Sequence, residues 1–177
     1  MHKPPVVGDR STEARDRMLE LWGDKPALVF GTWKAPRPDG VRQVLVWDKS
    51  PYVGMGDLSI PWGPSWEEIY VLGEGFSGKR QSGILHYLPV SVNFRHSGHP
   101  TPKPVDLMES LIAHCPKDWV IADPFAGSGA TLVAARNLGR RAIGVEIEKR
   151  WCGEAVRRLG QPTLPMPEVE LVDGDAR

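Results

Sequence analysis

The strongest constraint on the fold is the alternation of short apolar runs and helix-forming segments between residues 118 and 160. The pattern predicts, in order, a strand at 118–122, a helix at 128–138, a strand at 142–146 and a helix at 148–159. Glycines at positions 139 and 160 are typical of helix ends. Strand, helix, strand, helix at this spacing is the βαβ unit of a parallel sheet, so we expect an α/β fold.

The remaining elements are shorter and separated by turn residues. We expect helices at 13–22, opened by Ser11 and ended by Gly23, and at 104–115, and strands at 27–30, 41–47, 68–72 and 87–92, with a last strand at 169–172. Gly73 to Gly83 carries Lys79 and Arg80 among glycines and predicts a flexible basic loop. Such a loop suits contact with phosphates, and equally suits a surface that is only solvated.

A glycine-rich segment, Asp123 to Thr131, lies between the first predicted strand and the helix after it. In an open α/β sheet this is where ligands bind, and glycines let the backbone approach a ligand closely. The dinucleotide pattern fails because Leu132 stands where its third glycine is needed, and no Gly-Lys-Ser/Thr of a P-loop follows. Glu146 ends the next strand, where an acidic side chain can bind ribose hydroxyls. Together these residues predict an adenosine-type cofactor without a pyrophosphate.

A proline-rich box, His99-Pro100-Thr101-Pro102-Lys103-Pro104, directly precedes the helix predicted at 104–115. Prolines stiffen the backbone, and Thr101 and Lys103 could then reach an anionic group. A rigid turn into the helix, without a ligand, is the alternative interpretation.

Charge and cysteine content exclude several classes of protein. The 177 residues carry 22 Lys plus Arg and 22 Asp plus Glu, a formal net charge of zero, which argues against a polybasic binder. The two cysteines, Cys115 and Cys152, form neither a disulfide framework nor a zinc spacing, so no metal is expected. No apolar run approaches the roughly 20 residues of a membrane span. We therefore expect a cytoplasmic protein with no membrane partner.

The proline-rich box, the segment Asp-Pro-Phe-Ala-Gly-Ser-Gly and the later Gly144-Val145-Glu146-Ile147 together resemble the DNA amino-methyltransferases, in the permuted β-class motif order. The resemblance implies a Rossmann-like fold with a central, mostly parallel sheet flanked by helices. It implies the site-specific transfer of a methyl group from S-adenosylmethionine to the exocyclic amine of adenine or cytosine in double-stranded DNA, as in restriction-modification systems. Which of the two bases is the target stays open.

The resemblance also implies roles for individual residues. Glu146 would hold the ribose, and Thr101 and Lys103 would lie near the methionine carboxylate. The methionine part would be surrounded by Asp123, Phe125, Gly127, Ser128, Gly129 and Thr131. Since the net charge is zero, any contact with DNA would come from local basic patches such as Lys79, Arg80 and Arg95. A protein of this family would work in a bacterial cell or phage-infected host. The chain would form one methyltransferase domain over 1–177, with a target-recognition or loop insertion at 51–98, a cofactor-binding core at 99–159 and a proline-rich tail at 160–177.

One departure from the family concerns catalysis. The family's catalytic motif is Asp/Asn/Ser-Pro-Pro followed by an aromatic, and no such tetrapeptide occurs in the 177 residues. Ser50-Pro51-Tyr52 lacks one proline and is the weak catalytic candidate. We expect that the sequence begins just after the motif, that a second chain supplies it, or that the protein is a catalytically inactive or split module for binding cofactor and DNA.

Overall fold

The computed structural model describes residues 11–90 and 101–161. Its helices are α1 (Glu13–Trp22), α2 (Val105–Ile112), α3 (Ala130–Asn137) and α4 (Lys149–Leu159). Its strands are β1 (Ala27–Gly31), β2 (Val41–Asp48), β3 (Trp66–Leu72), β4 (Ile84–His86), β5 (Ile121–Asp123) and β6 (Ala142–Gly144). The predicted Arg95, the box residues His99 and Pro100, and the strand at 169–172 lie outside the described residues.

The strands form two sheets that share one core. The first has the order β1-β3-β2-β4, with β3 antiparallel to both its neighbours and β4 parallel to β2. The second pairs β5 with β6 in parallel, and α3 connects them, which is the predicted βαβ unit. The α/β class is therefore confirmed.

Helix α2 joins the two sheets. Its buried face, Leu107, Met108, Leu111 and Ile112, packs in one cluster with Trp47 and Ile69 of the first sheet and with alanines 130, 134 and 135 of α3. Alanines on α3 permit a close approach of the two helices because their side chains are small. Ile121 of β5 packs against the same cluster, so the cluster holds the strand that leads into the glycine-rich segment.

Several element boundaries differ from the sequence predictions. Helix α2 ends at Ile112 rather than 115, α3 begins at Ala130 rather than 128, β3 begins at Trp66 rather than 68, and β6 ends at Gly144 rather than 146. Thr12 rather than Ser11 precedes α1 as its N-cap. Strand β5 begins at Ile121, where pairing with β6 begins, rather than at 118. The strand expected at 87–92 is wrong over its described part: β4 is Ile84–His86, and residues 87–90 form no strand. Pro89 lacks the N–H that a ladder needs, which accounts for the early end.

Candidate cofactor site

The glycine-rich segment is folded around the Asp123 carboxylate at the end of β5. Asp123 Oδ1 accepts a hydrogen bond from the Phe125 N–H at 3.0 Å. Its Oδ2 accepts one from the Thr131 hydroxyl at 2.5 Å, which ties the strand end to the first turn of α3. Thr131 is buried and Phe125 is 56% exposed. Asp123 and Thr131 therefore shape the loop, while the Phe125 ring faces solvent, where a ligand could contact it.

Two glycines in the segment adopt backbone conformations that other residues rarely adopt. Gly127 has φ +50° and Gly129 has φ +79°. A Cβ on Gly129 would also lie 2.8 Å from the Ala155 Cβ, closer than carbon atoms approach. Gly129 thus lets the loop lie directly on α4, and Gly127 permits the turn before it.

Glu146 connects the glycine-rich segment to the end of the second strand. Its Oε2 accepts the Gly127 N–H at 2.8 Å, and its Oε1 accepts the Glu148 N–H at the start of α4, also at 2.8 Å. The side chain is half-buried. A carboxylate has about four lone-pair sites, so each oxygen keeps a lone pair for a hydroxyl donor. The structure places Glu146 beside Gly127, as expected of residues that share one ligand.

Ser128 faces the protein rather than the loop's open side. It is buried, and its carbonyl and hydroxyl oxygens both accept hydrogen bonds from Arg158, at 2.8 and 3.3 Å. Burial lowers the pKa of the Arg158 guanidinium, although the nearby Glu154 carboxylate partly offsets this effect. The sequence did not single out Arg158, since arginines near a helix end are common.

Lys103 lies in an ion cluster that the sequence analysis missed. Its ammonium donates to Glu67 Oε2 at 2.6 Å, and Lys49 donates to Glu67 Oε1 at 2.5 Å. The Lys103 Nζ also lies 4.6 Å from the Phe30 ring centroid and 5.2 Å from that of Trp47. Burial alone would raise the pKa of the Glu67 carboxyl, but the two ammonium groups outweigh it and hold that pKa below its usual value. The cluster of one carboxylate and two lysines keeps a net positive charge.

Thr101 is exposed and lies just before this cluster. Thr101 and Lys103 lie in residues 101–104, the described part of the proline-rich box, which leads into α2 with Pro104 as its N-cap.

The weak catalytic candidates lie at the end of β2, beside the ion cluster. The Ser50 N–H and hydroxyl both donate to Asp48 Oδ1, at 2.8 and 2.5 Å. These bonds, with a contribution from His86, lower the pKa of the Asp48 carboxyl. Tyr52 is about half exposed. No described hydrogen bond or ion pair joins Ser50, Pro51 or Tyr52 to the glycine-rich segment.

Lys79 and Arg80 are exposed on the loop between β3 and β4. The sequence predicted that this loop is flexible, whereas the structure shows it hydrogen-bonded to the end of α2 through His114. Within the described ranges, no group of three or more His, Cys, Asp and Glu side chains could hold a metal ion. No helix in the described part is both long and apolar enough to cross a membrane.

A glycine-rich turn after one parallel strand, with an acidic side chain after the next, lies where α/β proteins commonly bind ligands, at the carboxyl ends of their strands. Comparison with known proteins makes the class more specific. Residues 77–157 match the family model described as DNA methylase. The resemblance that the motifs indicate is confirmed.

The chain is similar to individual members along part of its length. It is 48% identical to the type II methyltransferase M2.DpnII of Streptococcus pneumoniae over 62 residues, which are 34% of this chain and 23% of that protein. Across six such curated relatives the chain spans between 23% and 46% of their length.

Solved structures share the fold over a larger part of the chain. The M1.HpyAVI–SAM complex aligns with a TM-score of 0.66 at 23% identity, over 89% of this chain and 86% of that one. The cytosine-N4-specific PvuII DNA methyltransferase aligns with a TM-score of 0.65 at 14% identity, over 93% and 77%. The Rossmann-like methyltransferase fold is confirmed by these alignments.

Proposed function

We propose that this chain binds S-adenosylmethionine and takes part in the transfer of its methyl group to the exocyclic amine of adenine or cytosine in DNA. The observation that carries the proposal is the hydrogen bond from the Gly127 N–H to Glu146. It joins the carboxylate that follows β6 to the glycine-rich turn that follows β5. The family match and the relatives that are DNA methyltransferases support it.

The residues present fit this cofactor. A ribose offers two hydroxyl donors, and the Glu146 carboxylate has acceptor lone pairs beyond those used by Gly127 and Glu148. Ile147 is 81% exposed and Phe125 is 56% exposed, so apolar surface lies beside the carboxylate and on the loop for the flat adenine and the methylene chain. The turn contains no Lys or Arg to match a pyrophosphate.

The ion cluster around Glu67 fits the charged end of the cofactor. Lys103 and Lys49 share one carboxylate, so the cluster carries one net positive charge that a methionine carboxylate would neutralise. Asp123 and Thr131 hold the loop in shape from within and need not touch the ligand.

The bound cofactor would supply an electrophilic methyl group on a sulfonium sulfur. Such a methyl group would pass directly to the target amine, so the chain would need no nucleophile of its own. The chain's own residues would bind and orient the cofactor, while a polar acceptor and a stacked aromatic would align the flipped base. Ser50 and Tyr52 are the weak candidates within this chain; a segment or second chain bearing Asp-Pro-Pro-Tyr is the stronger source.

Lys79 and Arg80 would contact the DNA backbone. Both are exposed, and a phosphate contact by each would add to affinity without selecting a sequence. Replacing both with alanine should lower affinity equally for all sequences and reduce the salt slope by about two phosphate contacts.

The proposal is tested by methyl transfer from labelled S-adenosylmethionine to mixed-sequence duplex DNA, with the chain supplied with a segment bearing Asp-Pro-Pro-Tyr. Nucleoside analysis of the product should show N6-methyladenine or N4-methylcytosine, and Gly127→Val should abolish the signal. Label in C5-methylcytosine, or in RNA alone, would contradict the proposal.

A further inference from the structure

The loop that carries Lys79 and Arg80 is fixed by His114 at two points. The Ser77 N–H donates to the His114 carbonyl at 2.8 Å, and His114 Nδ1 lies 2.8 Å from the Ser77 carbonyl. On the other side of the two cations, Gln81 Nε2 lies 2.8 Å from His114 Nε2. The imidazole of His114, which lies two residues after α2, therefore contacts the loop on both sides of Lys79 and Arg80, at Ser77 and at Gln81.

The hydrogen-bond roles within this contact follow from chemistry. The Ser77 carbonyl can only accept, so Nδ1 of His114 carries the proton. In the neutral ring Nε2 is then an acceptor, and the Gln81 amide donates to it. The Ser77 carbonyl, the His114 ring and the Gln81 amide therefore each have a hydrogen-bond partner of the complementary kind.

Packing next to the histidine reinforces the same placement. The Phe76 ring meets Trp119 edge-on at 5.7 Å between centroids. The backbone lies so close that a Cβ on Gly75 would be 2.8 Å from the Trp119 ring, and one on Gly78 would be 3.1 Å from His114 Nδ1. Both glycines have positive φ. The loop backbone is thus shaped to lie on these two side chains.

We propose that His114 is a positioning residue for DNA binding: it holds the Ser77–Gln81 segment in one conformation, so that Lys79 and Arg80 are presented together to consecutive phosphates of the DNA backbone. The inference rests on the proposed function. Holding the loop before binding lowers the entropy cost of ordering the backbone segment that carries the two cationic side chains. The His114 contacts also link the loop between β3 and β4 to the carboxyl-terminal end of α2. Lys103 lies just before the amino-terminal end of the same helix.

The test measures the affinity of the whole chain for a fluorescent duplex DNA, by anisotropy, over a series of salt concentrations. His114→Ala and, separately, Gln81→Ala should lower affinity by about 3- to 10-fold. In the background Lys79→Ala plus Arg80→Ala, neither change should lower it further. His114→Asn, whose amide can still donate to the Ser77 carbonyl, should lose less affinity than His114→Ala.

Controls separate positioning from folding. His86→Ala removes another exposed imidazole, one that pairs with Asp48, and should bind DNA as the unaltered chain does. Gln81 is exposed, so its loss removes one hydrogen bond without opening the core. Binding of S-adenosylmethionine should be unchanged in every variant, which reports on the proposed function separately.

Two results for the His114 and Gln81 variants would overturn the inference, and a third result, for the cation variant, would do so as well. One is wild-type DNA affinity in His114→Ala and Gln81→Ala while the double cation variant is impaired. The other is a loss of DNA affinity in His114→Ala that is equally large in the background Lys79→Ala plus Arg80→Ala. If removing the two cations itself changes nothing, the loop is no DNA contact and the inference falls, while the cofactor proposal stands on its own measurement.

Discussion

Among single residues, Glu67 combines partial burial with two charged partners. Its side chain is 27% exposed, and those of Lys49 and Lys103 are 16% and 28% exposed. Its pKa in the folded protein lies below the ordinary value of 4.5. A carboxyl whose pKa is lowered by folding stabilises the folded state above its unfolded pKa, and this contribution is lost as the pH falls through the folded value.

We therefore expect Glu67→Gln to lower the free energy of unfolding at pH 7 by about 1.5–3 kcal/mol, since charge-assisted hydrogen bonds are lost. The difference from the unaltered chain should shrink as the pH is lowered below 4.5, measured by urea unfolding. Glu74→Gln is the matched control, because Glu74 is 83% exposed and pairs with Arg42 at 3.5 Å; it should change stability little. If the difference in the free energy of unfolding between Glu67→Gln and the unaltered chain is the same at every pH, this account is contradicted.

The residues of the ion cluster also show where sequence reasoning ends. Lys103 was identified from the proline-rich box, but its partner Glu67 lies 36 positions earlier, in a different element. No local pattern connects the two, because a pairing across the fold depends on how α2 docks on the first sheet. In contrast, Asp123, Gly127 and Glu146 were all identified, since they belong to one βαβ unit whose connection is short.

Among the elements, the βαβ unit was predictable because its strands and helices differ sharply in hydrophobic period and end at glycines. The first sheet was less predictable from the sequence. Its strands were located, but nothing local specifies the order β1-β3-β2-β4, and the end of β4 was misplaced. That order depends on packing against α2, where Ile69 of β3 is completely buried in one cluster with the helix.

The tight fit of β1 on β3 gives a test at this scale. A Cβ on Gly31 would lie 2.2–2.6 Å from the ring and hydroxyl of Tyr70. Tyr70 cannot move away easily, since its hydroxyl donates to the buried Glu68 carboxylate at 2.6 Å, which in turn pairs with Arg37. Gly31→Ala should therefore destabilise the fold by about 1–3 kcal/mol in chemical unfolding.

Gly83→Ala serves as the control, because a Cβ there meets no atom closer than 3.6 Å. The denaturant concentration at the midpoint of unfolding should be nearly the same for Gly83→Ala as for the unaltered chain. Equal midpoints for Gly31→Ala and Gly83→Ala would show that β1 is not packed on Tyr70 as described.

For the whole molecule, the expected activity depends on the tetrapeptide that the sequence lacks. Stacking on an aromatic is worth about 1–3 kcal/mol per base, and misaligned reactants lose several powers of ten in rate. We expect the 177-residue chain alone to methylate DNA poorly or not at all while still binding cofactor. Adding a segment with Asp-Pro-Pro-Tyr, in cis or as a separate chain, should restore transfer of labelled methyl groups. Turnover at an ordinary rate by the chain alone would instead make Ser50-Pro51-Tyr52 the catalytic loop, and Tyr52→Ala the next variant.

The central claim, that the turn after β5 and the carboxylate after β6 form one cofactor site, is tested most directly by titration calorimetry with S-adenosylmethionine and its demethylated product. The account predicts binding to one site, abolished by Gly127→Val and weakened by about 1–3 kcal/mol in Glu146→Ala, as a charged acceptor is lost. Glu148→Ala is the matched control, since its carboxylate pairs with the exposed Arg150 and only its backbone N–H meets Glu146. Binding of NAD with no response to S-adenosylmethionine, or unchanged affinity in Glu146→Ala, would contradict the account.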